Sequence, residues 1–203
     1  MLRAALTLAD EAGIEALSMR KLAQALGVEA MSLYNHVANK DDILDGILEL
    51  VASEIELPAS GTDWKTAIRQ SAISAHEALS RHAWVGSLWM TPRKVSPPRL
   101  RYGDAILRTL RDAGFSKDLT YHAFHILQGH ISGFTLQERN FPFDREKLEE
   151  MAASFLREFP AGEYPDLAEH VRQHMEPRPE HRGTFEFGLD LILDGLERLR
   201  DAA

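Results

Sequence analysis

The sequence predicts an all-α protein, and two observations support this fold class. Apolar residues recur at three- and four-residue spacing in one segment after another, which is the spacing of an amphipathic helix. No segment alternates apolar and polar residues over more than a few positions, as a half-buried strand would. The expected architecture is a small N-terminal group of three helices followed by a larger helical domain.

Residues 17–40 predict two short helices joined by a tight turn. Ser18 is placed to cap the first helix, and Gly27 stands just past its end, where a left-handed residue is common. The positions expected to face inward are apolar: Leu22, Ala23, Leu26, Val28, Leu33 and Val37. A helix–turn–helix presents its second helix to the DNA major groove in this way, so the segment predicts a DNA-binding domain.

One helix precedes this pair and several follow it. The first is expected over residues 4–18, and the fourth over 41–56. The periodicity and capping residues predict the later helices over 62–80, 97–113, 116–139, 144–158 and 184–200. Residues 160–179 hold prolines 160, 165, 177 and 179, and they predict the least regular part of the chain.

Composition restricts the possible function classes. The chain has 203 residues and no cysteine, so disulfides, thiolate catalysis and zinc–cysteine sites are excluded. No apolar run is long enough to span a membrane and no signal peptide is recognisable, so we expect a cytoplasmic protein. The net charge of −8 is unusual for a DNA-binding protein. Between Ser18 and Lys40, however, the sequence has three basic residues and one acidic residue. Phosphate contacts require basic groups on only one face of the protein.

Several motifs at matching spacing carry a resemblance to a known family. They include the first helix, the run Leu33-Tyr34-Asn35-His36-Val37, and the run Asn39-Lys40-Asp41-Asp42-Ile43-Leu44. Together they resemble the DNA-binding domain of the tetracycline-repressor (TetR) family of bacterial transcription regulators over roughly residues 3–57. The resemblance implies a helix–turn–helix DNA-binding domain over residues 1–45.

The C-terminal part extends this resemblance. Residues 185–197 resemble the last helix of the tetracycline repressor branch, and Gly129-His130 with Phe134-Thr135-Leu136 resembles its eighth helix. The resemblance implies an effector-binding and dimerisation domain over residues 46–203. The implied function is a ligand-responsive transcriptional repressor that binds a double-stranded DNA operator.

The resemblance also indicates which residues meet DNA. They are Ser18, Arg20, Ala30, Met31, Ser32, Tyr34, Asn35, His36 and Lys40. Arg20 is suited to a base edge or a phosphate, Met31 to apolar contact with thymine methyls, and Lys40 to phosphate. At three positions an alternative without a DNA role stays open: Tyr34 as a packing residue, His36 as a helix-end histidine and Lys40 as a solvated surface charge.

The resemblance implies that the helices around 116–139 and 183–200 of two subunits form a four-helix bundle in a homodimer. The predicted interface residues are Gly129, Gly133, Phe185, Leu189, Ile192 and Leu196. The glycines, four residues apart, allow close helix approach, and the others form one apolar stripe. The alternative is burial of that stripe within one subunit.

The effector site is predicted among bundled helices, where pockets are mostly apolar with a few polar groups. The candidates are Trp89, Tyr102, Ile106, His125 and Phe134, with ordinary core packing as the alternative. Trp89 stands where the tetracycline repressor has a histidine that ligates drug-bound magnesium, so we expect an apolar or aromatic effector instead of tetracycline. No cofactor is expected.

Two other function classes stay open. One is a regulator that answers to a protein partner, and the other is a helical-bundle enzyme that uses the histidines and carboxylates of the larger domain. Against an enzyme, the sequence has no nucleophile next to a base, no Gly-rich phosphate loop and no metal-ligand pair on one helical stripe. No catalytic or metal-binding residue is therefore predicted.

Overall fold

The computed structural model describes residues 1–89, 96–140, 145–158, 162–173 and 183–202, and within these ranges the chain is helical without a strand. The helices are α1 Leu2–Ala12, α2 Met19–Leu26, α3 Ala30–Leu33, α4 Lys40–Ser53, α5 Trp64–Arg81, α6 Gly86–Trp89, α7 Pro97–Asp112, α8 Lys117–Asn140, α9 Arg145–Glu158, α10 Pro165–Gln173 and α11 Thr184–Asp201. A short 3-10 turn, Ile14–Ala16, follows α1. The predicted all-α class is confirmed.

The turn between α2 and α3 forms as its sequence predicts. The Ser18 side chain caps α2 by accepting a hydrogen bond of 3.2 Å from the backbone N–H of Lys21. Gly27 ends α2 in the left-handed region, with φ +67° and ψ +32°. Leu22 and Leu33 are buried beneath the turn, but Val28 is 46% exposed. The prediction that Val28 faces inward is therefore wrong, because the left-handed turn directs it to solvent.

Helix α4 connects the N-terminal helices to the rest of the molecule. Asn39 caps it by accepting from the N–H of Asp42 at 3.0 Å. Apolar residues at helical spacing form its buried face: Ile43, Leu44, Ile47, Leu48 and Val51. Helix α1 packs closely on it, since a Cβ at Gly46 would stand 2.6 Å from Leu2 Cδ2. The three N-terminal helices and the larger domain thus share one continuous core.

The larger domain is built around α5, α7, α8 and α11. Buried aliphatic residues from these helices form its core: Ile68, Leu79, Ile106, Leu110, Leu127, Ile131, Leu189 and Leu193. Two ion-pair groups fasten α5 to α11. Lys65 bridges Asp194 and Glu197, and Arg69 bridges Glu186 and Asp190.

Part of the proline-rich segment is more regular than its sequence predicts, while residues 160, 161 and 174–179 lie outside the described residues. Residues 165–173 form α10, with Pro165 in its first turn, where the missing N–H and the fixed φ of proline are tolerated. This nine-residue helix corrects the prediction of irregular structure for that stretch. None of the helices in the described ranges is both long and apolar enough to cross a lipid bilayer.

Candidate nucleic-acid interface and helical-domain site

The helix–turn–helix exposes a mixed apolar and basic surface. Met31 is 75% exposed at the start of α3, and Tyr34 is 46% exposed just past its end. Arg20 is exposed in the first turn of α2. Ala30 and Ser32 are half-buried, and the Ser32 hydroxyl donates to the Glu29 carbonyl at 2.7 Å. Met31 and Tyr34 are therefore large, mainly apolar side chains that this face leaves in solvent.

Helix α3 is shorter than predicted. It ends at Leu33, and the next N–H groups bond three residues back: Tyr34 to Met31, Asn35 to Ser32 and His36 to Leu33. The placement of residues 34–37 in a regular helix is thus corrected to a tightened turn. Asn35 and His36 are exposed on it, while Leu33 anchors it in the core.

Three basic residues of the helix–turn–helix region have no carboxylate partner among the described residues. Arg20, Lys21 and Lys40 form no ion pair with any carboxylate in the described residues. By contrast, Lys65 and Arg69 of α5 each bridge two carboxylates. Because an internal carboxylate would compete with phosphate, cations without such a partner are suited to bind an external anion.

The predicted effector residues divide by burial. Trp89, Tyr102 and Ile106 are 6%, 4% and 2% exposed, and Phe134 is half-buried. His125 is exposed, with its ring 4.5 Å from that of Tyr121 between centroids. His125 is therefore a surface residue of the single chain, and its role in an effector site stays a prediction.

Arg99 fixes the end of α6 against the start of α7. Its Nη2 donates to the Trp89 carbonyl at 2.7 Å, and its guanidinium carbon lies 5.0 Å from the Trp89 ring centroid. Burial lowers the pKa of Arg99, although the carboxylate of Asp45 on α4 acts in the opposite direction. Trp89 is thus held at the end of α6 by an arginine that also interacts electrostatically with Asp45 of α4.

Tyr102 carries an unusual polar atom. Its hydroxyl is buried and makes no hydrogen bond of ordinary geometry with the described residues. Burial raises the pKa of Tyr102 to about 12, with the Gln128 side chain opposing the shift. The phenol therefore stays protonated and offers a buried donor. An unsatisfied buried hydroxyl costs about 1–3 kcal/mol, so this donor is suited to an acceptor on a bound molecule.

A polar cluster in the same domain was not predicted. The ring of His76 on α5 stacks on Phe185 of α11, with centroids 3.9 Å apart. Its Nδ1 lies 3.0 Å from Thr135 Oγ1, and its Nε2 lies 3.2 Å from Glu138 Oε2. Phe134 packs against both rings at 5.6–5.9 Å between centroids. The cluster joins three helices around one imidazole.

The hydrogen bonds fix the protons of this cluster. The Thr135 hydroxyl donates to the Ile131 carbonyl at 2.8 Å, so it can only accept from His76 Nδ1–H. Burial, followed by the nearby charge of His130, lowers the pKa of His76. Burial raises the pKa of Glu138 against a hydrogen bond with Ser80. Both shifts favour the neutral forms, and a neutral imidazole that accepts at Nε2 from a protonated Glu138 is one arrangement that fits these contacts.

The structure revises the residues expected at the subunit interface. Phe185, Leu189 and Leu196 are at most 4% exposed within one chain and belong to its core. Ile192 is half-buried, while Gly129 and Gly133 are exposed with no atom near their Cβ positions. The exposed apolar residues of α11 lie at other positions: Phe187, Leu191 and Leu199. Burial within one subunit, the alternative for the predicted stripe, therefore holds for Phe185, Leu189 and Leu196, and the exposed residues are the candidates for the interface.

No group of three or more histidine or carboxylate side chains in the described ranges is arranged to hold a metal ion. The histidines of α8 have other contacts. His130 Nε2 lies 2.9 Å from the Phe185 carbonyl, and His122 packs against Tyr121 at 5.5 Å between centroids.

Two family models match the chain. Residues 1–47 match bacterial regulatory proteins of the tetR family, and residues 57–200 match the tetracyclin repressor-like C-terminal domain. The chain belongs to the TetR family. It is accordingly a ligand-responsive, DNA-binding transcriptional repressor.

Relatives of known name and structure agree with this assignment. The class C tetracycline repressor of Escherichia coli is 30% identical, over 98% of this TetR-family chain and 90% of its own. A possible TetR family regulator of Streptomyces coelicolor superposes with a TM-score of 0.77 at 30% identity, covering 98% and 97% of the two chains. ActR of S. coelicolor in complex with actinorhodin gives a TM-score of 0.77 at 25% identity, covering 98% and 95%.

Little in the sequence indicates the cluster around His76 in this TetR-family chain. His76 lies in α5, far from Thr135 and Glu138 along the chain, so only the packing of α5 on α8 joins them. A possible clue was one histidine on the apolar face of α5 beside Ala72, Ala75 and Leu79.

Proposed function

We propose that this repressor acts as a homodimer that binds a pseudo-palindromic operator and is released by a planar aromatic effector. One observation supports the DNA-binding surface. The helix–turn–helix region that exposes Met31 and Tyr34 also holds three cations without a described carboxylate partner: Arg20, Lys21 and Lys40. In the described ranges no carboxylate competes for these three charges.

The docking follows from these positions. Tyr34, just past the end of α3, and Lys40, at the start of α4, bind phosphates and set the register of α3 on the duplex. Met31 contacts thymine methyl groups, and Arg20 reaches a base edge or a phosphate. Asn35 and His36 supply further contacts with the DNA backbone from the turn after α3. Ser18 acts chiefly as the cap of α2.

An exposed apolar face supports the homodimer. Phe187, Leu191 and Leu199 are 60%, 56% and 59% exposed on α11. Ile126 and Leu136 of α8 are 48% and 44% exposed. Burial of such side chains stabilises by about 1.5–3 kcal/mol each, so pairing these faces from two copies favours association.

The effector site lies between α6, α7 and α8. Trp89 and Phe134 provide aromatic surface, Ile106 provides aliphatic surface, and the buried Tyr102 hydroxyl awaits an acceptor. This combination suits a planar aromatic molecule with a carbonyl or quinone oxygen. The relative ActR binds actinorhodin, which supports an aromatic ligand class for this chain.

Binding to the DNA upstream of the protein's own gene tests the DNA-binding surface. Gel shifts across a salt series are expected to show a specific complex that Tyr34→Ala and Lys40→Ala weaken on all sequences alike, while Arg20→Ala also relaxes base preference. The matched control is Lys117→Ala, which removes an exposed lysine from the start of α8. If Tyr34→Ala and Lys40→Ala bind as tightly as Lys117→Ala at physiological salt, the proposed surface is wrong.

Thermal unfolding tests the effector class. Actinorhodin is expected to raise the Tm of the wild type, and Tyr102→Phe is expected to reduce that shift without lowering the Tm of the free protein. Tetracycline with magnesium is the comparison ligand and is expected to have no effect. A larger shift with magnesium–tetracycline than with actinorhodin contradicts the proposed class.

A further inference from the structure

The segment that follows α5 contacts both α1 and α4. His82 Nδ1 lies 2.8 Å from Asp10 Oδ1 on α1, and His82 Nε2 lies 3.2 Å from Glu54 Oε1 at the end of α4. Trp84 Nε1 donates to the same Asp10 oxygen at 2.7 Å. Asp10, Glu54, His82 and Trp84 are called the interdomain latch below.

Two of the four latch side chains are buried, and the other two are partly exposed. His82 and Trp84 are 7% and 5% exposed, whereas both carboxylates reach the surface. Arg81 donates to the second oxygen of Glu54 at 2.8 Å. Burial raises the pKa of Glu54, but hydrogen bonds from Arg81 and His82 outweigh it and hold the pKa below the ordinary value. Carboxylates only accept hydrogen bonds, so His82 satisfies both when each ring nitrogen carries a proton.

The position of the latch gives it a role beyond packing. Helix α1 belongs to the DNA-binding domain, and α4 is its covalent connection to the larger domain. Trp84 is followed directly by α6, which packs on α8 beside the proposed effector site. The latch therefore joins the effector side of the larger domain to α1 without passing along α4.

We propose that His82 and Trp84 are positioning residues that hold the DNA-binding domain in a fixed orientation through Asp10, so that opening the latch frees this domain. The regulatory meaning of the latch rests on the proposed function, because orientation matters when two helix–turn–helix units must match two half-sites. The latch itself is a property of one chain. Its test can therefore fail or succeed independently of DNA binding.

The indole N–H groups report the latch directly. The chain has three tryptophans, and Trp84→Phe identifies the Trp84 signal in a nitrogen–proton correlation spectrum of the full-length protein. Asp10→Ala is expected to accelerate solvent exchange of the Trp84 indole proton about tenfold, the change that corresponds to losing one charge-assisted hydrogen bond. Asp10→Asn keeps an acceptor oxygen and is expected to retain most of the protection.

A matched control separates the latch from general loosening of α1. Glu11→Ala removes the neighbouring exposed carboxylate and is expected to leave Trp84 exchange unchanged. The latch proposal is overturned if Asp10→Ala has no larger effect than Glu11→Ala. If Asp10→Ala unfolds the chain, exchange of the α1 amides in Trp84→Phe, which keeps the buried ring but removes the donor, gives the same comparison.

A distance measurement then tests the orientation. Because the chain has no cysteine, Gln24→Cys on the exposed face of α2 accepts a single spin label. In a homodimer the label–label distance reports the separation of the two DNA-binding domains. Asp10→Ala is expected to broaden this distance distribution, and Asp10→Asn and Glu11→Ala are expected to preserve it. An unbroadened distance distribution in Asp10→Ala contradicts the positioning role. The absence of any dipolar signal in all variants contradicts the homodimer instead. In that case the exchange rate of the Trp84 indole proton decides whether the latch exists.

Discussion

His130 of α8 lies directly against the backbone of α11 at Gly188. A Cβ built on Gly188 would stand 2.7 Å from Cε1 of His130. The ring cannot readily move aside, since it stacks on Phe185 at 4.8 Å between centroids and its Nε2 lies 2.9 Å from the Phe185 carbonyl. The pair fixes how α8 and α11 lie side by side, and with them the exposed face proposed for dimerisation.

Gly188→Ala is expected to destabilise the fold by about 1–3 kcal/mol, the usual cost of overpacking a filled site. Urea unfolding measures the change in the free energy of unfolding. The control is Gly103→Ala in α7, where a Cβ would meet only Phe124 at an ordinary 3.8 Å. That variant is expected to be neutral or more stable by about 0.5–1 kcal/mol, because glycine is unfavourable inside a helix. Equal effects of the two variants would contradict the close contact.

The turn of the helix–turn–helix gives a test of backbone conformation alone. Gly27 has φ +67°, and a Cβ there would meet nothing within 4 Å. Gly27→Ala is therefore expected to cost about 1–2 kcal/mol through the left-handed backbone, with no clash. Gly27→Asn is expected to cost less, since asparagine adopts this region more readily. Thermal unfolding of the three proteins gives the order, and a tolerant Gly27→Ala would be inconsistent with the turn.

The protonated state of Glu138 has a pH signature. Its pKa is raised in the folded protein, so it stabilises the fold at pH below its unfolded value of about 4.5 and loses that contribution as pH rises through the folded value. Glu138→Gln, which can donate to His76 at every pH, is expected to be more stable than the wild type at pH 8. The difference should shrink toward pH 5. A variant less stable than the wild type at pH 8 would indicate an ionised Glu138 paired with a charged His76.

The two faces of α11 should respond differently to a charge. Leu191→Glu on the exposed face is expected to give a folded monomer, because a dimer would bury the new carboxylate without a partner. Leu189→Glu on the buried face is expected to prevent folding. Light scattering should give about twice the 22.8 kDa chain mass for the wild type and for the control Leu100→Glu, which changes an exposed residue of α7. A dimeric Leu191→Glu would place the interface elsewhere.

The helices and their ends were largely predictable because the signals are local. Ser18, Asn39 and the left-handed Gly27 act within a few residues of their own positions. The short α3 was not predictable in the same way, because tertiary packing of Leu33 and Val37 overrides the periodicity. The face of α11 was ambiguous for another reason. Apolar residues occupy both sides of it, so only the positions of α5 and α8 decide which side is buried.

The burial and exposure of the candidate site residues were predicted in part, while their binding roles stay predictions. Surface residues of the helix–turn–helix follow from its repeated geometry, and Trp89, Tyr102 and Ile106 lie inside the larger domain as expected. The exposure of His125 was harder to predict, since a shift of one residue along α8 turns a side chain by about 100° and separates it from half-buried Phe124. The hydrogen bonds of the clusters around His76 and His82 join residues between 28 and 74 positions apart. No local pattern reports such contacts.

A footprint on the DNA upstream of the protein's own gene tests the central claim most directly. Two helix–turn–helix units related by two-fold symmetry predict two protected half-sites about one helical turn apart or slightly more, ~34–36 Å, with pseudo-palindromic sequence. Two protomers should be present per duplex. A single protected half-site, or no protection above that of unrelated DNA at physiological salt, would contradict the account.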